Sequence, residues 1–367
     1  MMNSYDIAII GLGPAGSILA QLLSKEFRVI AIDMKHTYDH GFQKPCGGLL
    51  SSDAQKALAE LNLTLPKEVT VDPQIFAVKT IDQERELIRH YQRTYVNVDR
   101  HKFDLWLKSL IPEHVEIHDY SRCSAVERVD SGYQITFHEN KMKHVVTAKF
   151  LVGADGANSL VRRFLYPDKK IRTYMAIQQW FPEQHDSPFY SCIFDEKITD
   201  CYSWSISKDN HFIFGGAYLM DKPREQFDMQ KGRLQGVGFQ FGEPTKTEAC
   251  MVLRPSSFLD FSCGKDNAFL IGEAAGFISP SSLEGISSAI NSGRILSEVL
   301  NVRSPQPNRS YQFKTLPIQM KMYAKLLKCP FMYNPFLRKQ ILRSGVQSIS
   351  MQPGHEKIRQ SLRGSRI

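Results

Sequence analysis

The run Asp6-Ile-Ala-Ile-Ile-Gly11-Leu-Gly13-Pro14-Ala15-Gly16 decides the fold, because an apolar, β-branched strand passes directly into three glycines spaced to open a helix. The first glycine permits a tight turn, the second lets backbone approach a pyrophosphate, and the third lets helix and strand pack closely. The helix N-terminus then offers free N–H groups and a partial positive charge to a diphosphate. A second apolar strand, Arg28-Val-Ile-Ala-Ile32, ends in Asp33. That acid falls about 20 residues beyond the turn, where a carboxylate accepts from ribose hydroxyls. The pattern predicts a strand-turn-helix that binds a dinucleotide.

Outward from this turn, 367 residues with 42% apolar content supply one large or two medium packed domains rather than a disordered chain. The seven cysteines are odd in number and form no C-x-x-C pair, which argues against a disulfide framework or a zinc site. No metal is expected, and the thiols read as reduced and cytoplasmic. The chain runs from Met1-Met-Asn-Ser into the first strand with no basic region or cleavage site for export. No segment reaches the ~18 uninterrupted apolar residues of a membrane span.

The formal charge of +8 is unevenly placed: residues 301–367 carry +12 and residues 1–300 carry −4. The tail also holds the apolar clusters Met322-Tyr-Ala-Lys-Leu-Leu327 and Phe331-Met-Tyr-Asn-Pro-Phe-Leu337. Such a surface suits peripheral contact with anionic headgroups on the inner membrane surface. It equally suits helices that pack on the body with their charges in solvent. Nucleic acid is not an expected partner, since no recognised nucleic-acid module accompanies the charge.

Along the chain the pattern predicts a loop from His36 to Gly48, a helix over 52–61, short strands over 69–93 and a helix through Asp104–Leu110. Strands follow over 115–150, then an antiparallel sheet over 171–260, and a helix from Gly285 to Leu300. At Ala268-Phe-Leu-Ile-Gly272 the strand-then-glycine grammar of the N-terminus returns. The nucleotide domain is therefore expected in three pieces, 1–68, 94–170 and 262–305. The mainly β domain takes 69–93 and 171–261, and 306–367 forms a basic helical region.

Further segments carry a resemblance. Arg100-His-Lys-Phe-Asp104, Gly153-Ala-Asp155-Gly156-Ala-Asn-Ser159-Leu-Val-Arg162 and Gly272-Glu273-Ala-Ala-Gly276 join the glycine turn and Asp33 in a fixed order. Together they resemble the FAD-binding elements of the p-hydroxybenzoate hydroxylase-like superfamily, over roughly residues 1–300. Within it, Lys44-Pro45-Cys46-Gly47-Gly48 and Tyr202-Ser-Trp204 look like the geranylgeranyl reductase group, and the full-length pattern looks closest to a bacterial branch of it. The implied fold is α/β: a Rossmann-like FAD-binding domain, an inserted mainly antiparallel β substrate domain and a C-terminal helical tail.

The resemblance implies FAD held by Gly11, Gly13, Pro14, Ala15, Gly16, Asp33, Arg100, Asp155, Gly156, Gly272, Glu273, Gly276, Gly285 and Ile286. The loop Lys44, Pro45, Cys46, Gly47 and Gly48 is placed beside the isoalloxazine, and Arg162 near the pyrophosphate side. Cys46 is either a redox or proton-donating thiol, with Lys44 favouring its thiolate, or a small packed thiol. Arg100 either contacts FAD or is a surface charge just past the N-cap Asp99. Two positions depart from the family pattern: Glu273 replaces an Asp, and Ile206-Ser207 replaces Phe-Pro after Trp204.

Eleven aromatics fall between Tyr174 and Tyr218. They suit sheet packing, and equally one wall of an apolar substrate pocket containing Tyr202 and Trp204. His185 and His211 lack ligand spacing. The expected activity is FAD-dependent reduction of carbon–carbon double bonds in an apolar, isoprenoid-like small molecule or lipid, with NAD(P)H or ferredoxin as external electron donor. The alternatives are an FAD monooxygenase acting on an aromatic or apolar compound, and a non-enzymatic redox-sensing flavoprotein at the membrane surface.

Overall fold

A computed structural model describes residues 3–35, 44–182 and 189–351. The strand Asn3–Ile10 lies inside an eight-stranded sheet, flanked in parallel by Val29–Ile32 and Met142–Gly153. Ile9 therefore faces Ala31 on one side and Val152 on the other. Val115–His118 and Ala268–Leu270 extend the parallel set at its two ends. Parallel strands are covered on both faces, which is why Ile7–Ile10 and Val29–Ile32 are buried at every position and read as unbroken apolar runs. Ser121–Val129 and Gly132–Glu139 form a meander onto the first half of Met142–Gly153.

The second sheet has nine strands, running from Lys246–Leu253 through Thr173–Pro182, His211–Leu219, Ser203–Lys208 and Tyr190–Phe194 to Ile75–Asp82 and Leu87–Asn97. The short pieces Leu49–Leu50 and Ser348–Ile349 pair with the last of these. The strand Leu87–Asn97 is continuous through the expected boundary at residue 93.

Two features depart from the antiparallel sheet expected over 171–260. Tyr190–Phe194 pairs in parallel with Ile75–Asp82, because the earlier segment inserts beside it rather than at an edge. The stretch Pro223–Gln235 is a helix, started by Pro223 in its first turn and packed through Phe227, Gln230 and Leu234. Spacings of three and four put those residues on one helical face. Only two of them are apolar, so the periodic signal is faint.

After the long helix Ile286–Asn301 come Pro307–Lys314, Leu316–Tyr333 and Pro335–Ser344. The last is capped by Asn334, whose side chain accepts from Phe336 N and Leu337 N at 3.0 and 3.1 Å. It is anchored by Arg338, which donates from Nε to Asp82 Oδ2 at 2.8 Å and from Nη2 to Glu196 Oε2 at 2.5 Å. Among the described residues no helix is long and apolar enough to cross a membrane.

Candidate cofactor and substrate site

A cavity of about 1250 Å³ opens between the carboxyl ends of the parallel strands and the second sheet, with the C-terminal helices along one side. In parallel α/β sheets this crevice is the ordinary ligand site. The volume exceeds the roughly 300–1,000 Å³ of a pocket for one small ligand. There is room for a dinucleotide and a second molecule.

The glycine turn shapes one end. Gly11 has φ +97°, and an added Cβ would sit 2.7 Å from Ala154 O. At Gly16 it would sit 2.0 Å from Gly11 O, so this glycine serves the close packing of turn on helix and does not line the cavity. Gly13 is different: its Cβ would meet no protein atom within 4 Å, and the residue lines the cavity with Gly11, Pro14 and Ala15. The helix Pro14–Leu22 starts with no side-chain cap and no acid in its first turn. Such an end suits an anion.

Asp33 closes the same end. Its Oδ1 accepts from Leu12 N at 3.2 Å and its Oδ2 from Lys108 Nζ at 3.1 Å. Asp155 Oδ2 accepts from Leu160 N at 2.7 Å, while its buried Oδ1 has no hydrogen-bond partner among the described residues. Burial raises the Asp155 carboxyl above its usual range. An open cradle at Gly13, an acid at the end of the second strand and an orphaned carboxyl oxygen fit an extended dinucleotide. Arg162, buried, donates to Ala274 O at 3.1 Å and to Ala157 O, bracing this turn rather than facing the cavity.

Toward the second sheet the cavity is lined by Pro45, Cys46, Gly47 and Gly48, by Gly272, Glu273, Gly285 and Ile286, and by Tyr202 and Trp204. Gly276 lies outside the cavity, its left-handed turn closing on Asp260 O. Tyr202 donates to Ser282 O at 2.6 Å and Trp204 Nε1 to Gln178 Oε1 at 3.2 Å, which fixes both rings. Burial drives the Tyr202 hydroxyl far above its usual pKa, so it stays neutral.

Lys44 departs from its expected role beside the Cys46 thiol. Its ammonium is taken by Glu273, whose other oxygen accepts from Leu253 N at 3.0 Å. Although burial opposes the charge, Glu273 holds Lys44 above its ordinary pKa. The longer acid at position 273 thus bridges the Lys44 loop to the second sheet. Arg100 and Lys208 both interact electrostatically with the Cys46 side chain. Cys46 Sγ itself accepts from Gly48 N at 3.4 Å. The neighbouring Cys250 thiol is pushed up to about 12 by burial.

Arg100 lines the cavity and forks onto Asp104, with Nε 2.8 Å from Oδ1. Against the cost of burial, Arg100 and Lys35 hold Asp104 down at about 2. Among the charged residues at the site that a sequence reading does not reach are Lys35, Lys108 and Lys208. Lys208 directly follows Ser207, and its burial beneath a glycine loop has no local signature. His211 meets Trp180 edge-on at 5.8 Å on a strand, and His185 lies outside the described residues. No group of three metal-ligating side chains occurs among the described residues.

No family model matches the sequence. The chain is 54% identical over 349 residues to the protein CbrA of Escherichia coli O157:H7, covering 95% of this chain and 99% of that one. Among solved structures it is similar to a geranylgeranyl bacteriochlorophyll reductase-like protein from Thermoplasma acidophilum. The TM-score is 0.78 at 18% identity, over 93% of this chain and 92% of the other. PqsL of Pseudomonas aeruginosa, described as a probable FAD-dependent monooxygenase, matches with TM-score 0.67 at 16% identity, over 93% and 99%. These two likenesses establish a shared fold.

Proposed function

Because this chain belongs to the CbrA family, and its cavity fits a dinucleotide with space beside it, we propose that it is an FAD-dependent oxidoreductase that reduces carbon–carbon double bonds of an apolar, isoprenoid-like substrate. The carrying observation is that the Pro45–Gly48 loop and the residues Tyr202 and Trp204, far apart in sequence, line one cavity with the glycine turn. The reductase-like and monooxygenase-like folds named above are both compatible with the cofactor. NAD(P)H or ferredoxin would supply the electrons.

Bound FAD would supply hydride transfer to and from the substrate. The chain's own residues bind and orient. Gly11, Gly13 and the start of the helix Pro14–Leu22 receive the pyrophosphate, with Asp155 and Gly156 on that same pyrophosphate side, and Asp33 the ribose. Gly285 and Ile286 bring the N-terminus of a long helix to the cavity wall, where positive dipole favours developing negative charge. Tyr202, Trp204 and Ile206 exclude water along the second sheet. Cys46, lining the cavity on the Pro45–Gly48 loop, is the side chain assigned to hand a proton to a reacting carbon.

The test begins with acid-released cofactor, which should be FAD. The dithionite-reduced protein is then mixed anaerobically with polyprenyl lipids, and reoxidation is followed by stopped flow. Reoxidation by lipid without oxygen is the expected result. Substrate-dependent oxygen consumption in its place would make the protein a monooxygenase. Cys46→Ser should keep the flavin and lose about 10²-fold or more of the lipid-driven rate, and unchanged rates would reduce Cys46 to a packing residue.

A further inference from the structure

We propose that the rim of the cavity formed by the C-terminal helices docks on an anionic lipid bilayer. On the helix Leu316–Tyr333, Leu316, Met320, Leu327 and Phe331 are 43%, 62%, 67% and 52% exposed. Intervals of four, seven and four residues gather them on one helical face. Ile318 and Met322 turn inward and are buried, so the packing of this helix is already satisfied without that face. Phe313 just before it and Phe336 just after it are also exposed. Phe258 and Leu259 join the patch from the body, the Phe258 ring meeting Tyr323 at 4.7 Å.

The patch runs into the cavity. Phe331, Ile341 and Val346 are both exposed and cavity-lining, so they form its mouth. Exposed apolar side chains gathered on one helical face and at a cavity mouth mark an interaction site rather than scattered surface.

Charge selects the partner. From residue 301 to residue 351 the sequence has nine Lys/Arg and no acid. Lys321, Lys325 and Lys328 follow the helix beside the stripe. Lys321 pairs with Asp53 at 2.5 Å and Lys325 with Glu284 at 3.7 Å, while Lys328 stands exposed at the mouth. An apolar stripe edged by cations is the surface that settles into a headgroup layer, the apolar side chains entering and the exposed Lys328 ammonium meeting lipid phosphates. The docking rests on this surface alone. Its consequence, that an apolar substrate passes from bilayer to cavity without crossing water, rests on the reductase reading.

Full-length protein is cosedimented with vesicles of phosphatidylcholine alone and with phosphatidylglycerol mixed in. Binding to the mixed vesicles, weakening as salt screens the headgroups, is expected. The double variant Met320→Glu/Leu327→Glu should lower it about tenfold or more, with Tm and monomer mass unchanged. Lys328→Gln should weaken binding to the mixed vesicles alone.

Equal partition to both vesicles, or to neither, would overturn the proposal. So would concentration-dependent self-association that the double variant abolishes, since a second copy would then cover the stripe. If the double variant fails to fold, Leu316→Ser and Met320→Ser singly provide the same comparison. These vesicles contain no isoprenoid, so a negative result leaves the reductase reading to its own reoxidation test.

Discussion

Replacing Lys208 with methionine should flatten the alkaline limb of the stability profile. Lys208 is buried, and its Nζ donates to Asn97 Oδ1 at 2.5 Å and Val98 O at 2.7 Å. Among the described residues it has no carboxylate at ion-pair distance. Gly48, at φ +60°, packs so closely that a Cβ there would meet Nζ at 2.9 Å. Burial draws the ammonium down from 10.5 to about 8. Between those values the unfolded chain keeps a proton that the folded chain has released, so the Lys208 contribution to folding stability is lowest below pH 8 and rises as the pH climbs toward 10.5. At 1.36 kcal/mol per unit, the rise amounts to about 3 kcal/mol. Methionine has similar length and no proton to lose, so this component should vanish. The absolute stability moves separately, because Asn97 Oδ1 and Val98 O lose their donor at about 1–3 kcal/mol each. The slope is therefore the diagnostic quantity. Urea unfolding of both proteins from pH 7 to pH 10, at fixed ionic strength, gives the difference curve. Parallel curves would refute a depressed, uncompensated ammonium at this site.

Gly13→Asp should abolish flavin retention, since it sets a carboxylate where the cavity is open and an anion is expected; a purified variant that keeps its flavin absorbance would contradict the placement of the pyrophosphate. Arg338→Met should destabilise the chain by about 3–5 kcal/mol, because among the described residues it leaves the fully buried Asp82 with Arg85 alone, 3.3 Å away. Chemical denaturation measures the loss, and a change under about 1 kcal/mol would mean that the C-terminal helix is held by packing alone.

The glycine turn, Asp33 and the late strand at Ala268–Leu270 were legible in the sequence because each depends on local backbone demands. A left-handed turn needs Gly11, close packing needs Gly16, and a strand buried on both faces must be continuously apolar. The family pattern likewise picked out Cys46, Tyr202 and Trp204, which do line one cavity. The helix Pro223–Gln235 was missed because two apolar residues in thirteen carry it.

What tertiary structure alone decided is which charges meet. Lys44 finds Glu273 across 229 positions, Arg338 finds Asp82 across 256, and Lys208 comes to lie under Gly48. It also decided that a basic, apolar helix would edge the cavity mouth. Local spacing constrains only residues within a turn or a pleat of one another. The pairing of buried charges is fixed by which strands neighbour which, and that is set by the whole sheet.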